Sequence, residues 1–253
     1  MKYEKTQKGN PHNLTIKQHT FPYKSIQRFV DDGNNIDLFM INHNKRVSLR
    51  ANNEIFCAKR VWDQKAEMGY MKEIEDKYQE LADLIISSNL RYLTQKNQDI
   101  ITDMFILWNV REYYKRVPIP NNKIDTILDV ATKFSKDDEE KLEKAGIYSI
   151  KADGTIPKRY TTSIQILQNI RQAKEQMKNR KWGILEAKEG EFICPDNSPN
   201  ARILVLSPKI CFFSQCDKDY DTITKQELRD LNKIAILGSH SYYFARDLTQ
   251  CPI

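Results

Sequence analysis

The sequence predicts an α+β fold, and three observations carry that prediction. Segments with apolar residues at alternating spacings of three and four fill the middle of the chain. Short stretches rich in β-formers stand near both ends, and a capped amphipathic segment follows the last of them. The expected architecture is an N-terminal β-hairpin, a helical core, and a small C-terminal antiparallel sheet with a closing helix. One integrated domain over residues 1–253 is expected, with a subdomain boundary near 117–122.

The elements follow in chain order. Residues 36–41 (IDLFMI) and 46–49 (RVSL) flank Asn42, His43 and Asn44, the pattern of two strands around a tight turn. Over residues 63–87, Met71, Ile74, Tyr78, Leu81 and Ile85 recur at helical spacing with acidic and basic residues between them, which predicts a helix. A second helix starts at Thr94, whose hydroxyl caps free N–H groups, and runs to about residue 115. Ile100, Ile101, Met104, Phe105, Leu107 and Trp108 make it apolar nearly all round, so it belongs at the centre of the core. Pro118 and Pro120 end it. Short helices are expected over 124–132 and 137–145, and a longer one over 158–178, faced by Ile164, Leu167, Ile170 and Met177. Residues 182–187, 191–194, 202–206 and 210–214 predict the C-terminal sheet. Thr224 and Glu227 form a capping box ahead of Leu228, Leu231, Ile234 and Leu237, opening a helix to about residue 243.

Composition narrows the function classes. With 253 residues, 40% hydrophobic, 8 Gly and 9 Pro, the chain is neither a stapled miniprotein nor a low-complexity segment. No apolar run is long enough to span a bilayer, and the opening MKYEKTQKGNPHN has no secretory core, so a cytoplasmic location without a membrane partner is expected. Five irregularly spaced cysteines suit reduced thiols. The net charge of +6 is uneven: residues 1–60 hold 11 Lys/Arg against 5 Asp/Glu, and the remainder balances. Lys2, Lys5, Lys8, Lys17, Lys24 and Arg28, interleaved with Tyr3, His12, His19, Phe21 and Tyr23, form the mixture that contacts phosphates by charge and bases by stacking, and Lys115 and Arg116 extend it. The bland alternatives are a solvated leader and cations complementing a helix C-terminus.

Catalytic motifs are incomplete. Asp217, Asp219 and Asp221 lack the glycine and the terminal acid of a calcium loop. Neither a nucleophile elbow nor a phosphate-cradling glycine loop can be drawn. Glu186 and Lys188 resemble half of a Mg²⁺-dependent nuclease site, which needs a second acid such as Asp196, with Lys209 nearby. Glu186 and Asp196 are therefore the candidate metal ligands and Mg²⁺ the candidate cofactor.

The ordered set His19, Pro22, Ile26 and Phe29, the stretch Arg111 to Arg116, the turn EFICPDNSP and the strand LSPK resemble the prokaryotic domain-of-unknown-function 4238 family. Ser198 intervenes where members have Asp-Asn-Pro. The family carries no established activity, but the resemblance gathers His19, Arg111, Asp196 and Asn197 into one expected polar pocket. It implies His19 as acid/base, Arg111 as anion clamp, Asp196 as metal ligand or base, and Asn197 as an orienting donor. The functional expectation is a nucleic-acid-directed protein, with metal-dependent cleavage in a defence-type setting as its sharper form. The alternative is a non-enzymatic module whose basic N-terminal arm docks on a protein partner.

Overall fold

The computed structural model describes residues 3–88, 90–124, 133–200 and 202–253. It is an α+β fold. In chain order the elements are β1 (Lys17–His19), α1 (Tyr23–Gln27), β2 (Ile36–Met40), β3 (Lys45–Leu49), β4 (Cys57–Lys59), α2 (Gln64–Ala66), α3 (Lys72–Ser88) and α4 (Gln95–Arg116). There follow β5 (Asn122–Lys123), α5 (Lys136–Lys144), β6 (Thr155–Ile156), α6 (Lys158–Met177), β7 (Gly183–Ala187), β8 (Cys194–Pro195), β9 (Ile203–Ser207), β10 (Ile210–Phe213), β11 (Tyr220–Ile223), α7 (Lys225–Gly238) and β12 (Tyr242–Ala245).

The α4 helix is the spine of the molecule. Thr94 and Asn97 cap it reciprocally. Ile101, Met104, Leu107 and Trp108 are buried along it in the apolar cluster that runs from Phe21 to Phe244. A helix buried on most sides needs polar anchors that do not strand hydrogen-bonding groups. Gln98 provides one, donating to the Trp182 carbonyl at 2.9 Å and accepting from its N–H at 2.7 Å, which ties α4 to the start of β7. Truncating Leu107 to Ala would cost about 2–5 kcal/mol through the cavity it leaves.

The predicted hairpin is present, with β2 and β3 antiparallel and Asn44 in the left-handed conformation that closes the turn. The predicted helix over 63–87 is broken at Gly69, whose φ of −101° and ψ of −117° fall inside the short π-helical stretch Glu67–Met71 that lies between α2 and α3. The helix expected over 124–132 lies, from residue 125 on, outside the described residues.

The strands do not form one C-terminal sheet. One sheet has the order β11-β7-β10-β9, in which β11 joins β7 in parallel. Gly183 permits the close approach of the chain before β11, since a Cβ there would stand 2.4 Å from the Cys216 Cβ. The other sheet has the order β3-β2-β12-β8, so the hairpin and the EFICP strand share it. The closing helix therefore ends at Gly238, short of the predicted residue 243, because residues 242–245 are needed as a strand. Beyond Pro118 and Pro120, Ile119 packs against the main core and β5 pairs with β6.

Candidate functional site

The last two turns of α4 carry Arg111, Glu112, Lys115 and Arg116, and of the other predicted site residues His19 and Asn197 contact this helix end. Arg111 is only 1% exposed. Its guanidinium binds the Glu75 carboxylate, donates to the His19 carbonyl at 3.3 Å, lies 3.7 Å from Glu67, and sits over the Trp62 ring at 5.2 Å. Burial raises the Glu67 pKa, which Arg111 and the Trp62 N–H oppose. Burial also lowers the His19 pKa, against the pull of Glu75 and helped by Arg111. The His19 ring leans on Tyr23 at 5.4 Å, and its Nε2 has no partner among the described residues.

Glu112, which sequence reasoning passed over, is 1% exposed. It accepts from the Thr20 hydroxyl and from Lys115 at 3.2 Å, and burial raises its pKa. Lys115 also donates to the Ile55 carbonyl at 2.7 Å and lies over the Tyr242 ring at 5.4 Å. The only sequence signal for Glu112 was its i,i+3 spacing from Lys115 as the one acid in a basic, aromatic helix end.

Asp196 accepts from the backbone N–H groups of His240 at 2.8 Å, Ser241 at 2.7 Å and Tyr242 at 3.4 Å. It thus holds the chain as it leaves α7 for β12, a structural duty for both oxygens. With its amide nitrogen on the Gly238 carbonyl at 3.2 Å, Asn197 accepts from Arg116 at 3.3 Å. The Ser198 N–H reaches Asn109 of α4 at 2.8 Å. The structure therefore brings His19 to Arg111 and Asn197 to Arg116, with α4 running between the two contacts.

Glu186 stands in the other sheet, accepting from Arg91 at 2.9 Å and from the Tyr220 hydroxyl at 2.8 Å. The carboxylates named as metal ligands are thus engaged with separate partners, Glu186 within its sheet and Asp196 in the bend after β8. No group of three or more His, Cys, Asp and Glu side chains able to hold a metal ion occurs among the described residues. Of the predicted nucleic-acid contacts, Lys24 and Arg28 pair with Asp83 of α3 at 2.5 and 3.0 Å, and Lys17 pairs with Glu54 at 3.0 Å.

Lys115 and Arg116 have a different setting. With Tyr3, Lys59, Arg60 and Lys158 they line a cavity of about 420 Å³ between β4, the end of α4 and the start of α6. No carboxylate lines it among the described residues. The first turn of α6 holds no acid either, so the positive end of its dipole adds to the field. Arg60 holds a left-handed φ of 50°, an unfavourable backbone state for a side-chain-bearing residue. It shares the Glu143 carboxylate with Arg159, the latter at 2.8 Å.

A second cavity of about 370 Å³ shares Tyr3, Arg60 and Lys158 and adds Glu4, Lys151 and Arg159. Burial would raise the Glu4 pKa, but Arg159, Lys136 and Lys151 outweigh it and hold the carboxyl down at about 2. Sequence reasoning named Tyr3 as a stacking residue but missed Lys59, Arg60, Lys151, Lys158 and Arg159. One signal was available: Lys158 and Arg159 open a helix where the dipole favours acids, so a second force must keep them there.

No family model matches the chain, and neither a curated protein nor a solved structure is significantly similar to it. No helix among the described residues is long and apolar enough to cross a membrane.

Proposed function

We propose that the protein is nucleic-acid-directed and binds a single strand in the basic cleft beside the end of α4. The observation that supports this reading is the convergence of Lys59, Arg60, Lys115, Arg116 and Lys158 with Tyr3 on one cavity whose described lining holds no carboxylate, the acids paired with Lys59, Arg60 and Lys115 (Glu54, Glu143 and Glu112) lying outside that lining. Phosphates of a bound strand would lie along the cations and release their counterions, while Tyr3 offers a face for base stacking. The resemblance to the domain-of-unknown-function 4238 family and a cytoplasmic setting belong to the same proposal.

Metal-dependent cleavage through Asp196 and Glu186 has less support, because each carboxylate already serves other groups. Fluorescence anisotropy with labelled single-stranded DNA and RNA, repeated with Mg²⁺ and Mn²⁺ and followed on a gel, tests both forms. Binding that weakens with salt and falls in Lys115→Ala and Arg116→Ala supports the cleft. The absence of binding at low salt sinks it and turns attention to an acidic protein partner.

A further inference from the structure

We propose that Arg159, Lys136 and Lys151 form a phosphate subsite of the cleft, and that the carboxylate of Glu4 fills it in the unliganded chain as a displaceable plug. This rests on the reading of the cleft as a nucleic-acid site and names what that site must expel to fill completely.

The geometry carries the inference. Glu4 Oε1 lies 2.8 Å from Lys136 and 3.2 Å from Lys151, while Oε2 is bound by Arg159. The Glu4 carbonyl accepts from Arg60 at 3.1 Å, and Arg60 lines both cavities. Three cations thus converge on a single monoanion. Lys136 is otherwise 3.7 and 3.9 Å from Glu139 and Glu140, and Arg159 holds Glu143, so these two cations keep an acidic partner without Glu4. A phosphate presents more oxygens and more charge than a carboxylate, and an arginine fork with two ammonium groups suits it better.

The segment that brings Glu4 is held mainly by exchangeable polar contacts. Between Tyr3 and the buried Leu14 it forms no helix or strand. It lies against α5, with the Gln7 N–H on Glu140 at 2.8 Å, His12 on Asp137 at 2.7 Å, and the Asn13 carbonyl accepting from Lys144 at 3.2 Å. Because Tyr3 precedes Glu4 and lines both cavities, lifting the arm also frees a ring at the mouth of the cleft.

The test compares wild type with Glu4→Gln, which keeps the side-chain shape and removes the charge. Melting is followed in inorganic phosphate and in chloride at equal ionic strength. Glu4→Gln should gain several degrees from phosphate and wild type little, because only the vacated subsite binds the ion. On a 3′-labelled 12-nucleotide DNA strand the variant should bind about tenfold more tightly. In wild type, trypsin should cut after Lys5 and Lys8 faster when the strand is bound, a readout independent of the variant's stability. A variant that gains neither phosphate stabilisation nor affinity, while wild type binds the strand, overturns the plug and leaves the cleft reading intact. Phosphate stabilisation of the variant without strand binding by either protein keeps the subsite and removes the nucleic-acid reading. Slower or unchanged cleavage at Lys5 and Lys8 also overturns the plug.

Discussion

Arg111 and Arg116 stand five residues apart on α4 and do opposite things. Arg111 is buried among Glu75, Glu67, the His19 carbonyl and the Trp62 ring, so its charge is spent inside the protein. Arg116 is held by the Glu112 carbonyl at 3.3 Å and by Asn197, and it faces the cleft. A buried cation surrounded by carboxylates cannot clamp a ligand without leaving those acids uncompensated. A cation held by neutral oxygens at a cavity wall keeps its field for whatever enters. Residue type therefore does not separate a structural arginine from one proposed to bind; what does is whether the acids around it are fixed in the fold, as Glu75 is in α3, or come from the N-terminal arm, as Glu4 does at Arg159.

The sharpest way to break this comparison is to remove each charge. Arg111→Met should cost about 3–5 kcal/mol by urea denaturation, because it strands Glu75 and Glu67. Arg116→Gln should stay within about 1 kcal/mol of wild type, as partly exposed contacts do. Equal losses in the two variants would refute the distinction. Asp196→Asn comes next: its side chain would accept fewer of the three N–H groups, costing about 1–3 kcal/mol. Should Asp196→Asn leave stability untouched, the carboxylate is free for chemistry and its structural assignment is wrong. A smaller effect sharpens the Arg116 side: its removal should reduce the slope of log binding constant against log salt by about one.

The smallest effect is a pH dependence. Burial holds His19 below its ordinary 6.5, so the unfolded chain takes up the proton first as pH falls. That contribution to stability is fully present above pH 6.5 and is lost progressively below it. In His19→Gln the decline between pH 7 and 5 should be shallower; an unchanged decline would show that His19 is not the group responsible.

The main helices were legible because their signals are local. Thr94 and the Thr224/Glu227 box mark helix starts by capping within three residues, and both caps are present. The hairpin was legible for the same reason. The distribution of the other strands was not. Cys194–Pro195 pairs with Tyr242–Ala245, and nothing in either segment's pattern names its partner. The predicted run of α7 to residue 243 failed because the Asp196 carboxylate, 44 residues before His240, captures the N–H groups that a continuing helix would use.

The candidate site was legible to the same degree. His19 and Asn197 do meet α4, but His19 reaches Arg111 through its main-chain carbonyl and Asn197 meets Arg116 instead, which motif spacing cannot foresee. The cleft draws on residues 3, 59–60, 115–116 and 158, separated by long stretches, so only the fold joins them. In the leader, clustering of charge suggested an interface, yet Lys17, Lys24 and Arg28 are paired with acids.

The pairing of β12 with β2 has a consequence for how the chain is made. About 200 residues separate these neighbouring strands. At roughly 5–20 residues per second of synthesis, one edge of the hairpin waits some 10–40 s for its partner. Throughout that interval Ile36–Met40 presents unpaired backbone groups to any other strand nearby, the situation that favours aggregation. The order of translation thus opposes the order of the sheet. Completion is a late event with high contact order, governed by the arrival of Tyr242–Ala245 rather than by the early formation of the hairpin.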